Sequence, residues 1–269
     1  MEVLTKAERE KNESVMPNVE NMSPIKVRAR KVSCCECNLA AGCLPAAISE
    51  GQLDKLDGII RRGHSLRKGE FLFSMGDVFE SIHVVRSGSI MTFTVSENGE
   101  VQVTGFYLPG DILGIDGISN AVHSNYAKSL ETAHVCTVPF NQFESLVTHI
   151  PSLQHLFFMK MSQEIQNKQK LFMQISKRSA VERISTFLLD MSVRNENRGL
   201  SGSCFRLPMS RADIGNFLGL ALETASRSFT RLQKQRVISA TGKDIEIINA
   251  VLLLAISNGG FERSLLETA

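Results

Sequence analysis

Residues 209–237 read MSRADIGNFLGLALETASRSFTRLQKQRV. Two short helices joined by a glycine corner account for this pattern. Ser210 stands before the first apolar position, where its oxygen can cap a helix. Ile214 and Leu218 are four apart and share one face of that helix. Gly215 is small enough for a second helix to approach, Gly219 takes the corner where φ must be positive, and Leu220 covers it. A second helix from about Ala221 to Lys234 turns Ala225, Phe229 and Leu232 inward. Ser228 falls where an apolar inward residue is expected, with Phe229 beside it to compensate. The following VISATGKDIEII, residues 237–248, reads as a hairpin turning around Thr241–Asp244. The spacing predicts a winged helix-turn-helix.

The outward positions carry the chemistry. Early in the second helix these are Glu223, Ser226 and Arg227. Glutamate accepts from cytosine N4, arginine binds guanine with two hydrogen bonds, and serine reaches a base or a phosphate. Arg231, Lys234 and Arg236 are expected near phosphates. The charge distribution agrees. Residues 177–249 hold twelve Lys and Arg against seven Asp and Glu, whereas the remainder holds eighteen against twenty-one. A net charge of +2 conceals this basic third on a mildly acidic body.

Upstream the texture is different. From Leu66 to about Phe140, short β-rich runs (FLFS, SIHVV, SIMTFTV, VQVTGFYL, HVCTV) alternate with glycine turns at Gly69, Gly76, Gly88, Gly99 and Gly110. The pattern predicts a sandwich or barrel-like roll. Asn98-Gly99 predicts a hairpin with both turn residues at positive φ. A helical stretch begins near Asn141 and continues beyond Pro151 as SLQHLFFMKMSQEIQNKQKLFMQISK. Phe158, Met161, Ile165, Lys168, Phe172 and Ile175 form a seam in 3-4 alternation, which serves either a dimer or packing on the helix's own β-domain. Lys168 interrupts the apolar seam. Across a parallel dimer two such ammonium groups would meet, giving a seam that needs outside help to close. The alternative is that Lys168 reaches solvent or pairs with Glu164.

Composition limits the rest. The 269 residues, 43% hydrophobic and 22% charged, suit one large or two ordinary folded domains. Tryptophan is absent and tyrosine appears twice, which argues against an aromatic-rich carbohydrate site or aromatic cage. The longest apolar runs, such as Val251–Ile256, fall short of the roughly 18 residues that cross a bilayer. The opening MEVLTKAEREKNES has no apolar h-region, so no secretory signal is expected, and residues 1–33 read as a disordered polar extension. No Walker loop, GxGxxG, HExxH or nucleophile elbow is present, and the six histidines are scattered, so no enzyme active site is expected.

The cysteines are the remaining signal. Cys34-x2-Cys37-x5-Cys43 puts three thiols on one short loop, and Cys136 follows about ninety residues on in a strand-like run. Four converging thiolates suit an iron–sulfur cube or a zinc ion, and spacing leaves both open. Cys35 either substitutes for Cys34 or does nothing, and Cys204 reads as incidental.

With its cysteine triplet, glycine-punctuated roll, long helix and winged helix-turn-helix, the chain resembles the CRP/FNR family of bacterial transcription regulators, closest to the FNR branch. The resemblance covers roughly residues 34–250 and rests on CxxCx5C, RSGSI, TGFYLPGDILG, ETAHVC, ADIGNFLGL and above all LETASR. It implies an α+β architecture. Its parts are a disordered extension (1–33), a cysteine loop (34–50), a cyclic-nucleotide-binding-type β-roll (51–150), a dimerisation helix (151–178), the winged helix-turn-helix (179–250) and a C-terminal tail (251–269). It further implies a 4Fe-4S cluster on Cys34, Cys37, Cys43 and Cys136, oxygen sensing in the cytoplasm, a homodimer, and an operator resembling TTGAT-N4-ATCAA. By the same analogy the turn Ser96–Glu100 touches RNA polymerase. A cyclic nucleotide is not expected: Ile115 replaces the ribose-binding glutamate, and Ser124-Asn125 replaces the phosphate-binding Arg-Ser pair.

Overall fold

The computed structural model describes residues 33–34, 36–39 and 42–259. The expected disorder of the N-terminal extension and the role of Cys35 lie outside them. The described chain begins with the cysteine loop and a 3-10 turn, Leu44–Ala47, followed by helix α1 (Glu50–Ile59). Strands β1 (Arg61–Leu66), β2 (Phe71–Phe73), β3 (Ser81–Ser87), β4 (Ile90–Val95), β5 (Val101–Tyr107), β6 (Ile112–Leu113), β7 (Tyr126–Ser129) and β8 (Ala133–Pro139) form the roll. Two antiparallel sheets result, ordered β1-β8-β3-β6 and β2-β7-β4-β5. Their inward residues, among them Leu66, Phe73, Val85, Ile90, Leu113 and Val135, make one core.

The β4–β5 hairpin is present, but its turn differs from the expected one. Gly99 has φ 79° and Asn98 is not in the positive-φ region. Ser96 N–H donates to Glu100 O (2.9 Å) and Gly99 N–H to Ser96 O (2.9 Å). The loop therefore has three residues, and only the last needs the left-handed conformation.

Helices α2 (Phe140–Val147) and α3 (Pro151–Lys177) follow. Proline at the first turn of α3 lacks only a hydrogen that would have no partner there. Leu153 and Phe157 are buried in a cluster with Leu44, Ile82, Val84, Val138 and Phe143. Further along, α3 divides the expected seam into two rows. Phe158, Ile165 and Phe172, seven apart, are 59%, 57% and 70% exposed. Met161 packs on the roll's cluster, and Ile175 lies 3.4 Å from the position of a Cβ on Gly219. Lys168 donates to Thr104 O of β5 and pairs with Glu164 at 3.2 Å. Within this chain Lys168 thus finds a carbonyl and a carboxylate, in keeping with the alternative that it pairs with Glu164.

The C-terminal part comprises α4 (Ala180–Glu196), β9 (Cys204–Arg206), α5 (Arg211–Phe217), α6 (Leu222–Lys234), β10 (Ile238–Thr241), β11 (Asp244–Ile247) and α7 (Ala250–Ser257). Capping boxes start α4 (Ser179 with Glu182) and α5 (Ser210 with Asp213). At Gly215 a Cβ would meet Leu220 O at 2.9 Å, and Gly219 has φ 65°, as the corner requires. Ser228 is buried without penalty because its hydroxyl donates to Thr224 O (2.9 Å). The wing is a three-stranded sheet, β10-β11-β9. Residues 251–257, read as the start of a tail, instead lie in α7, with Leu253 and Ile256 buried in the domain core. Asn249 caps that helix through Leu252 N–H at 2.9 Å.

The helix-turn-helix also docks on its own roll. Strand β5 is an edge strand, with a row of backbone groups to satisfy. Asn216 of α5 serves them like a neighbouring strand. Its Oδ1 accepts from Val103 N–H (2.5 Å) and its Nδ2 donates to Val101 O (2.7 Å). Phe106 lies against Phe217 (ring centroids 5.1 Å) and Phe187 (6.1 Å). Arg194 donates to Phe106 O (3.0 Å) and pairs with Asp111. Replacing Asn216 with Ala strands the Val103 N–H and is expected to cost roughly 1–2 kcal/mol. Urea unfolding checks this as a lower midpoint at an unchanged slope; an unchanged midpoint would show that the contact contributes nothing.

Candidate DNA interface and cysteine cavity

Helix α6 has an apolar inner side, Ala225, Phe229 and Leu232, and a polar outer one. Glu223, Ser226, Arg227, Arg231 and Lys234 are all exposed on it. Arg227 Nη2 donates to Glu223 Oε1 at 2.6 Å, one turn away. Such an exposed pair contributes little stability but orients the guanidinium along the helix. Arg183 braces the corner between the helices by donating to Leu218 O (3.0 Å). The Arg211 guanidinium stacks 3.3 Å from the centre of the Phe229 ring and reaches Gly242 O of the wing (3.5 Å). These contacts join wing, corner and reading helix. The remaining outward position, Arg236, is exposed just beyond the helix end at φ 55°.

On the β1-β8-β3-β6 sheet of the roll, Cys34, Cys37, Cys43 and Cys136 line a single cavity of about 30 Å³, with Arg62 and Arg86 in its wall. Cys136 comes from β8, between β1 and β3, paired opposite Val84. Cys43 caps the 3-10 turn at Leu44. Asp57, near the end of α1, accepts from Cys34 N–H at 2.7 Å and holds Arg62, whose Nη2 lies 2.9 Å from Cys34 Sγ. Burial pushes the Cys34 thiol up to about 12 and the Cys43 thiol up to about 11. It raises Cys136 as well, while Arg62 and Arg86 work against it there. Cys204 is exposed on β9 and does not line the cavity. Among the described residues, no three Cys, His, Asp or Glu side chains close on a point that a single metal ion would occupy.

Sequence reasoning missed Asp57, Arg62 and Arg86 around the thiols and Asn216 and Arg194 between the domains. Arg86 and Asn216 stand inside the RSGSI and ADIGNFLGL runs, but like the others they act on groups from another element of the fold, which the runs themselves do not name. The turn at Ser96–Glu100 is exposed.

A roll of two sheets, a long connecting helix and a winged helix-turn-helix with an exposed basic reading face define a DNA-binding transcription regulator. Residues 182–256 match the Crp-like helix-turn-helix domain and residues 64–149 the cyclic nucleotide-binding domain. Transcriptional activator protein Anr of Pseudomonas protegens is 44% identical over 240 residues, covering 89% of this chain and 98% of that protein. The fumarate and nitrate reduction regulatory protein of Yersinia pestis is 42% identical over 218 residues, covering 81% and 87%. The solved structure of FixK2 from Bradyrhizobium japonicum superposes with a TM-score of 0.67 at 27% identity, covering 73% of this chain and 97% of that one. The chain belongs to the CRP/FNR family of transcription regulators. These relatives are regulators, not enzymes. Among the described residues no helix is long and apolar enough to cross a membrane.

Arg227→Ala is expected to relax base discrimination by roughly 1–3 kcal/mol, whereas Lys234→Ala should weaken binding to all sequences alike and lower the salt slope. Competition binding with a guanine-substituted half-site separates the two; unchanged base preference in Arg227→Ala would remove Arg227 from the reading set.

Proposed function

We propose that this regulator senses oxygen through a 4Fe-4S cluster held by Cys34, Cys37, Cys43 and Cys136, and that it binds a palindromic operator resembling TTGAT-N4-ATCAA as a homodimer when oxygen is low. The observation that carries the reading is the cavity itself: cysteines from an N-terminal loop and from a central strand of the roll line one space. The donor set fits the group. All four donors are thiols, the ligand type of iron–sulfur centres, and two arginines supply positive charge beside them. Four thiols also suit a zinc ion, and the spectrum described below separates the two. When bound, the cluster supplies an oxygen-labile crosslink between the loop and β8.

The chain's own residues convert that crosslink into a change at the long helix. Cys43 leads directly into Leu44, which shares a core cluster with Leu153 and Phe157 of α3. Lys160 of α3 donates to Gly42 O at 3.4 Å. Order in the loop therefore stabilises the first half of α3. The exposed row Phe158, Ile165 and Phe172 is the surface offered to a second copy. Closing it sets the two reading helices about 34 Å apart, as a palindrome requires. The protein acts in the cytoplasm without a cyclic nucleotide, and the exposed Ser96–Glu100 turn is offered to RNA polymerase.

Protein purified without oxygen should show a broad visible absorption band that air bleaches. Cys37→Ser should abolish the band and operator binding while the roll stays folded, and Cys204→Ser should change neither. A colourless protein with stoichiometric zinc would replace this reading with a zinc-stabilised constitutive regulator. In sedimentation, Ile165→Glu is expected to abolish the dimer, while Lys168→Leu should not create one in air, since Lys168 finds its partners within its own chain. A Lys168→Leu dimer that persists in air would overturn that assignment.

A further inference from the structure

One carboxylate in the roll is held by an unusual set of donors. Asp116 lies in the 3-10 turn Ile115–Gly117. Its Oδ2 accepts from Ser124 N–H (2.9 Å), Ser124 Oγ (3.1 Å), Asn125 N–H (3.1 Å) and Asn125 Nδ2 (3.1 Å). Its Oδ1 faces His123 Nδ1 at 3.3 Å. Two consecutive backbone N–H groups, a hydroxyl and a carboxamide converging on one point form a cradle for an anion, and a free anion would satisfy them as a carboxylate does. Burial by itself would raise the Asp116 carboxyl. The hydrogen bonds from His123, Asn125 and Ser124 outweigh it and hold the carboxyl at about 2, so the group is charged at neutral pH. The loop lies inside the stretch that matches the cyclic nucleotide-binding domain.

The cradle is wired to the long helix. Asn125, turned by its bond to Asp116, accepts at Oδ1 from Thr104 Oγ1 of β5 (2.8 Å). Thr104 O accepts from Lys168 of α3. Lys168 pairs with Glu164 (3.2 Å), and Glu164 accepts from Tyr107 OH of β5 (3.3 Å). A continuous polar path therefore runs from the carboxylate through one strand to the middle of α3.

We propose that Asp116 is a built-in anionic ligand: it fills the cradle that a diffusible anion would otherwise fill, and through Asn125 and Thr104 it holds β5 against α3 with no small molecule bound. The proposal does not depend on what the cysteines hold. It is therefore tested on full-length protein prepared in air, where failure of the cluster reading has no bearing.

Asp116→Gly empties the cradle. In chloride its thermal midpoint should fall by roughly 5 °C. Sodium formate, which returns a carboxylate, should recover most of that loss in the variant and leave the wild type unmoved at equal ionic strength. Asn125→Ala cuts the path beyond Asp116. It should speed amide exchange over residues 160–170 and show no formate rescue of that exchange. An Asp116→Gly protein that melts at the wild-type temperature overturns the proposal. So does formate that stabilises both proteins equally or neither. If Asp116→Gly does not fold, Asp116→Asn keeps the shape and removes the charge; faster exchange over residues 160–170 then supports the proposal, and unchanged exchange overturns it.

Discussion

Leu44 is 1% exposed and sits in the same apolar cluster as Leu153 and Phe157. The cysteine loop, strands β3 and β8 and the first half of α3 depend on this packing. The residue is adjacent to Cys43 in sequence, and the cluster includes Val84 of β3, paired opposite Cys136, and Val138 of the same strand as Cys136. Loop, roll and long helix thus share one core, and none can loosen without exposing apolar surface on the others. A side chain of leucine size is worth about 1.5–3 kcal/mol when fully buried. That is enough to shift a finely balanced equilibrium and too little to lock it. On the proposed reading, ligation at Cys43 biases that equilibrium, because it anchors the residue next to the packing contact.

Strand β5 is the second shared element. Its free edge and carbonyls receive Asn216 from the helix-turn-helix, Arg194 from α4 and Lys168 from α3. Its other neighbours are β4 and, through Thr104, the Asp116 loop. A displacement of α3 is therefore felt where the reading domain docks. The reading residues themselves remain exposed in this docked arrangement, so the contact governs where the domain sits rather than whether its surface is covered.

The helix-turn-helix was legible in sequence because its determinants are local. Ser210, Gly215, Gly219 and Leu220 each act within a few residues, and the structure uses all four as read. The roll was legible from alternation and turn glycines, apart from the Asn98-Gly99 turn, where the loop gained a residue and relieved Asn98 of positive φ. The α3 seam was half legible. Periodicity marks the apolar positions but does not say which of two adjacent rows meets the chain's own roll. Helix α7 was missed because a short apolar run next to the chain's end carries no period. The cysteine set was legible as a set, yet the charged frame of Asp57 and Arg62 was not. Asp57 binds Cys34 across 23 residues of chain, and such pairs leave no pattern. Asp116 escaped for another reason: a positive charge was sought at the roll's loop, and the loop carries its own negative one.

Amide hydrogen exchange in the presence and absence of oxygen tests the central claim most directly, because it reads the loop and the helix separately. Protein prepared without oxygen should protect residues 42–47 and 151–161, and exposure to air should lower protection in both segments together, with the reading helix α6 unchanged. If air opens residues 42–47 while protection over 151–161 stays as it was, the loop and the long helix are not coupled through Leu44, and the account is wrong.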